Sequence, residues 1–194
     1  MIGFLGLAAA AVVVLAASQV VIAARRAAAT PDYWRRRMNE PVQPDDFRLV
    51  ALGDSSVQAI GADTPMHGYV GRIAEYVQTK TGRRVYIANV STGGTTSDVV
   101  RDQLPQVDLP SADLVIVADS NDMQQRVPLD EYASQLHRIV NAVPAERTVF
   151  SDLPIWPGCR RYQVVLERAT DARGIRRADF ATVFNRHRRL DIFS

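Results

Sequence analysis

One cysteine, one lysine and three histidines are scattered through 194 residues. A lone Cys159 excludes an internal disulfide and leaves no cysteine pair or cluster of the kind that binds zinc. A surplus of charge of one sign is also missing, since the formal net charge is only +2. Residues 1–40 hold five arginines (Arg25, Arg26, Arg35, Arg36 and Arg37) against Asp32 and Glu40. The rest carries 18 basic and 19 acidic side chains. A near-neutral globular part argues against a nucleic-acid-binding domain, which would show a basic face. Gly-x-Gly-x-x-Gly and Gly-x-x-x-x-Gly-Lys are both absent, which disfavours a nucleotide-binding turn. No motif asks for a metal or a cofactor.

What is present begins with an apolar run. Met1 to Ala24 carries no charged side chain and ends at Arg25-Arg26. That length spans a hydrocarbon core of about 30 Å at ~1.5 Å per residue. The run lacks the basic n-region of a cleaved signal peptide, so an uncleaved single-pass anchor is expected. All five arginines follow it, and the positive-inside rule then puts the remainder on the cytoplasmic side. Residues 25–46 read as a basic, proline-containing linker. Arg35, Arg36 and Arg37 either lie at the lipid headgroups, at roughly 1 kcal/mol each, or serve only as topology signals. Pro41 and Pro44 stop any helix before the first strand.

From Phe47 onward apolar strands alternate with helical patterns. Strands are expected at 48–52, 84–90, 113–118, 147–151 and 177–180. Helices are expected at 66–79, 96–104, 129–143 and 161–171, from spacings such as Tyr69, Ile73, Val77 and Tyr132, Leu136, Ile139. Such alternation makes a parallel sheet covered on both faces, with right-handed crossovers. A ligand site then belongs at the carboxyl edge. Three strand ends carry unusual residues there: Gly53-Asp54-Ser55-Ser56, Asn89 to Thr96, and Asp119-Ser120-Asn121-Asp122. Ser55, two residues past the end of an apolar strand, reads as a nucleophile. Asp54 reads as a support that bonds turn amides around it.

These blocks resemble those of the SGNH, or GDSL, hydrolases. Gly53-Asp54-Ser55-Ser56 is similar to the first block, Gly93 to Asp98 to the second, and Ser120-Asn121-Asp122 to the end of the third. The resemblance runs from about Phe47 to the C-terminus. It implies a three-layer α/β/α sandwich with a flavodoxin-like parallel sheet. It also implies hydrolysis of acyl esters or thioesters through an acyl-enzyme on Ser55. The oxyanion hole would comprise the backbone N–H groups of Ser55 and Gly93 and the side-chain amide of Asn121. Glycine at 93 is expected to permit close approach and unusual dihedrals. The alternative for Asn121 is an Asx-turn. The larger alpha/beta-hydrolase pattern Gly-x-Ser-x-Gly is not met, because Val57 stands at its second glycine.

Two departures stand out. Asp119 occupies the glycine position of the third block, where a carboxylate would oppose a developing oxyanion. The family's closing Asp-x-x-His block is not found. The sequence stops at Leu190-Asp191-Ile192-Phe193-Ser194, so the domain over 47–194 is expected to be C-terminally incomplete, with an apolar patch on one sheet face. The base that would activate Ser55 is therefore unknown. His67, His137 and His187 are poor substitutes, Cys159 reads as a bystander, and Trp156 and Pro157 are either pocket lining or loop packing. Two readings follow: a membrane-anchored serine ester hydrolase, or a catalytically inactive, membrane-tethered binding protein on the same fold.

Overall fold

The structure is a computed structural model that describes residues 24–25, 27–154, 158–180 and 182. Five strands form one sheet: β1 (Phe47–Gly53), β2 (Val85–Asn89), β3 (Leu114–Ala118), β4 (Thr148–Ser151) and β5 (Arg176–Ala178). Their order is β2-β1-β3-β4-β5 and every pairing is parallel. This is the flavodoxin-like order, in which the chain reverses direction across the sheet between β1 and β3.

Alternation along β1 and β3 divides the core in two. Val50, Leu52, Val115 and Val117 face one layer, which α5 (Leu129–Ala142) and α6 (Cys159–Asp171) cover with Tyr132, Leu136, Tyr162 and Leu166. Leu49, Ala51, Ile116 and Ala118 face the other layer, covered by α2 (Tyr69–Thr81) with Val70 and Ala74. Strands buried on both sides are what a parallel sheet requires.

Three expectations need revision. The helix expected at 66–79 starts later. Pro65–His67 forms a separate 3-10 turn, and Gly68, in extended conformation, caps α2 at Tyr69. The helix then runs to Gly82, whose left-handed φ of 69° closes it. The helix expected at 96–104 is a short α3 (Thr96–Asp98) continued as a π-turn over Val99–Gln103. That widened turn rotates Gln103 inward, where it is fully buried.

The third revision concerns residues 25–46. They do not form a free linker, because residues 27–38 form a helix, α1, that joins the second layer. Trp34 is 2% exposed and its indole Nε1 donates to the Gln58 carbonyl at 2.9 Å. The Tyr86 hydroxyl donates to the Met38 carbonyl at 2.7 Å. Thr30, Trp34 and Met38 lie one turn apart and face inward, while Arg35 and Arg36 are exposed. Arg35 pairs with Asp32 at 2.6 Å and Arg37 with Glu40 at 3.5 Å. The expected anchor, 1–24, lies outside the described residues apart from residue 24. Among the described residues no helix is long and apolar enough to cross a membrane.

Candidate active site

The site is assembled from the carboxyl ends of β1, β2 and β3. β1 ends at Gly53 with φ +136°, and a Cβ there would fall 1.8 Å from the Ala118 carbonyl oxygen. Only glycine fits this position, in both dihedral and space. The close approach lets the Asp54 N–H donate to that same carbonyl at 3.0 Å, so the chain turns directly after β1.

Asp54 is buried and accepts four hydrogen bonds. Its Oδ1 takes the Ser56 N–H (2.8 Å) and hydroxyl (2.7 Å), and its Oδ2 takes the Ser120 N–H (2.9 Å) and hydroxyl (3.0 Å). One carboxylate thus shapes the turn around Ser55 and ties it to the third block.

The second block is tied to both others. Thr92 N–H donates to the Gly53 carbonyl at 3.0 Å. Asp122, itself buried, accepts from the Thr96 N–H at 2.9 Å and the Thr96 hydroxyl at 2.8 Å. The Asn121 side-chain amide donates to the Gly94 carbonyl at 2.8 Å. The three blocks therefore form a closed ring of hydrogen bonds: first to second, second to third, third back to first.

Within that ring some donors are left unengaged. Ser55 is half-buried; neither its N–H nor its hydroxyl has a hydrogen-bond partner among the described residues, and the Gly93 N–H has no acceptor there either. Asn121 Nδ2 donates to the Gly94 carbonyl at 2.8 Å and makes only a long contact of 3.5 Å to the Gly93 carbonyl, so its second amide hydrogen is weakly held. These are the groups that the resemblance placed in an oxyanion hole. Of the two reasons given for glycine at 93, that of unusual dihedrals does not hold. Its φ is not positive and a Cβ there would meet nothing within 4 Å. The steric demand falls on Gly94, where a Cβ would lie 2.2 Å from Asp98 Oδ2.

Asp119 also differs from expectation. Its Oδ1 accepts the Asn121 N–H at 3.0 Å, and its Oδ2 is buried without a partner. Burial, with Asp122 and Asp54 nearby, pushes its carboxyl up to about 9. It is therefore neutral near pH 7, and the expected repulsion of an oxyanion does not arise. Burial likewise raises Asp122 above the usual carboxylate range.

Sequence reasoning missed the residues that hold the turn from beneath. Gln103 accepts the Gly53 N–H at 2.8 Å and donates to the Gly53 carbonyl at 2.9 Å. Asn89 donates to the Val57 carbonyl at 2.9 Å, and Gln58 to the Ser91 carbonyl at 2.7 Å. A lone glutamine at 103, in a segment of helical pattern, carries no signal of its own.

Neither of the two described candidate bases is drawn to this ring. His67, in the 3-10 turn, and His137, on α5, are exposed, and neither is hydrogen-bonded to Ser55. His187, Trp156 and Pro157 lie outside the described residues. Cys159 is buried at the start of α6. Among the described residues no group of three or more His, Cys, Asp or Glu side chains is placed to hold a metal ion.

Comparison with known proteins agrees with this arrangement. Residues 51–191 match the GDSL-like lipase/acylhydrolase family. AlinE4, an SGNH-hydrolase family esterase, superposes with a TM-score of 0.64 at 17% identity, covering 79% of this chain and 85% of its own. A lipase/acylhydrolase from Enterococcus faecalis gives 0.59 at 15%, covering 72% and 79%. A catalytic mutant of Axe2, an acetylxylan esterase from Geobacillus stearothermophilus, gives 0.60 at 18%, covering 74% and 80%. At these identities the likeness establishes the fold. No curated protein matches the chain in sequence.

Proposed function

The chain belongs to the GDSL-like lipase/acylhydrolase family, and from that premise we propose that it is a serine ester hydrolase working through an acyl-enzyme on Ser55. The observation that carries this reading is the ring of three blocks around Ser55, with N–H donors left open at Ser55 and Gly93.

Ser55 Oγ attacks the acyl carbonyl and its proton passes to a base, which stays unassigned. Negative charge collects on the carbonyl oxygen of the tetrahedral intermediate. The N–H groups of Ser55 and Gly93 and the second amide hydrogen of Asn121 stabilise it. Each such donor is worth on the order of 3 kcal/mol in the transition state. Collapse of the intermediate expels the alcohol, and water then releases the acid from Ser55. A site held by buried bonds to Asp54 and Gln103 needs little reorganisation at the moment of reaction.

The apolar run over residues 1–24 supports a single-pass membrane tether for this activity, with the domain on the cytoplasmic side. Protease protection of the full chain in sealed vesicles reads that orientation.

A second reading is a binding protein on the same fold, without turnover. It is favoured by the unengaged Ser55 hydroxyl, to which no described histidine is bonded. Hydrolysis of p-nitrophenyl acetate by the full chain separates the two. An esterase shows a rate that falls at least about 100-fold in Ser55→Ala, the scale of losing activated nucleophilic catalysis. A rate equal to that of Ser55→Ala overturns the hydrolase reading.

A further inference from the structure

α1 fixes the direction in which the chain enters the domain. Trp34 bonds to the carbonyl of Gln58, in the turn that follows β1. One helical turn later the Met38 carbonyl accepts from Tyr86, the second residue of β2. The Pro41 carbonyl then accepts from Arg84, just before β2, at 2.8 Å. Phe47, which opens β1, donates its N–H to the Arg84 carbonyl at 2.8 Å. From 34 to 47 the chain therefore travels from the carboxyl edge of the sheet to its amino edge, so α1 runs antiparallel to the strands.

The start of α1 consequently lies on the Ser55 side of the sheet. Ala27 stands seven residues before Trp34, about 10 Å of helix at ~1.5 Å per residue. Residues 24 and 25 are helical and exposed. The apolar run Met1 to Ala24 joins the domain at this end. Ser55 and Gln58 share one turn, in which the Ile60 N–H donates to the Ser55 carbonyl at 3.0 Å. The candidate nucleophile and the apolar run thus meet the same edge.

The chemistry of that edge suits a lipid surface without net charge. Ile60, beside Ser55, is 38% exposed. Arg25 is the exposed cation where the apolar run ends. Arg35 and Arg36 stand eight and nine residues past Ala27, about 12 Å or more down the helix and away from this edge. Arg35 and Arg37 are also engaged by Asp32 and Glu40. Asp63, ahead of α2, and Asp130 and Glu131, in the first turn of α5, are exposed at the carboxyl edge. These acids favour a zwitterionic surface over an anionic one.

We propose that the carboxyl edge, with Ser55, Gly93 and Asn121 at the start of α4 (Asn121–Gln124), is the face that this protein turns toward a lipid bilayer. Buried Thr30 and Trp34 pack α1 into the domain, so the edge holds this aspect. The orientation rests on the membrane tether proposed above and not on turnover at Ser55. For a hydrolase it means that an ester held in the bilayer meets the site from the lipid side.

The test is fluorescence quenching in phosphatidylcholine vesicles that carry a nitroxide on a fraction of their headgroups. The full chain is reconstituted with one nitrobenzoxadiazole label, at Ile60→Cys on the carboxyl edge or at Val42→Cys on the amino edge. Cys159 is buried, so the label goes to the introduced cysteine. The seven residues of β1 separate the two edges. Quenching is expected to be at least about threefold weaker at Val42, which stands about 20 Å farther from the lipid at ~3.3 Å per strand residue. Asp63→Cys and Asp45→Cys, exposed on the same two edges, decide the matter if Ile60→Cys does not fold. Equal quenching at the two edges, or stronger quenching at the amino edge, overturns the orientation alone. Failure of the chain to float with the vesicles overturns the tether and the orientation together.

Discussion

A carboxyl group that holds its proton at neutral pH leaves a signature in the stability of the protein as well as in its site. Asp119 is pushed up to about 9 by burial and by Asp122 and Asp54. In the unfolded chain an aspartate ionises near its ordinary value of about 3.9. Between these limits the folded protein keeps a proton that the unfolded chain has lost. Stability therefore falls as pH rises through this window, by at most about 1.4 kcal/mol per pH unit. Asp119→Asn removes this dependence. Urea melts from about pH 5 to about pH 8 should show the variant gaining on the parent as pH rises. Asp122, which burial also raises, is present in both proteins, so the difference reports Asp119. Parallel profiles would show that Asp119 ionises normally.

The π-turn after α3 is the element on which the opening of the site depends. An ordinary α-helix advances about 100° per residue, and the extra residue of the π-turn changes which side chain faces the sheet. Here that side chain is Gln103, bonded to both the N–H and the carbonyl of Gly53 and to the Thr92 hydroxyl at 3.1 Å. Gln103→Leu keeps the approximate volume and leaves the buried Gly53 N–H without its partner. The expected loss is about 2–4 kcal/mol, from one unsatisfied donor together with the other lost bonds. Esterase activity should fall with it, because Gly53 fixes where Ser55 emerges. Chemical denaturation and p-nitrophenyl acetate turnover measured on the same sample check both effects. An unchanged midpoint would mean that the turn is held by Asp54 and Asn89 alone.

For the whole molecule, the domain boundary lies earlier than the motifs suggest. α1 contributes Trp34 to the second core layer and bonds to Gln58, which in turn holds Ser91. Removing residues 1–40 deletes this helix. The remaining domain should lose about 3–5 kcal/mol, the cost of emptying a buried tryptophan site. Trp34→Ala should reproduce most of that loss. Removing only residues 1–22 should leave the melting midpoint of the domain within a few degrees. Calorimetry on the three proteins distinguishes them, and equal midpoints for the two deletions would show that α1 is dispensable.

The local sequence determined the alternation of strands and helices and the sheet that follows from it. β1 and β3 show the fully apolar stretches of strands buried on both faces, and the spacing of Tyr132, Leu136 and Ile139 marks α5. Short motifs also marked the three strand ends where chemistry would be found. Those signals are local, carried by neighbouring residues within one or two turns. What the tertiary structure decided depends on contacts between distant residues. Gln103 meets Gly53 across 50 positions, Ser120 meets Asp54 across 66, and Trp34 meets Gln58 across 24. The protonation of Asp119 is set the same way, by burial and by carboxyl groups from other elements. The stretch Gly53 to Ser56 thus announced a serine at a sheet edge. Only the folded chain shows which bonds hold that serine in place and which donors beside it are left open.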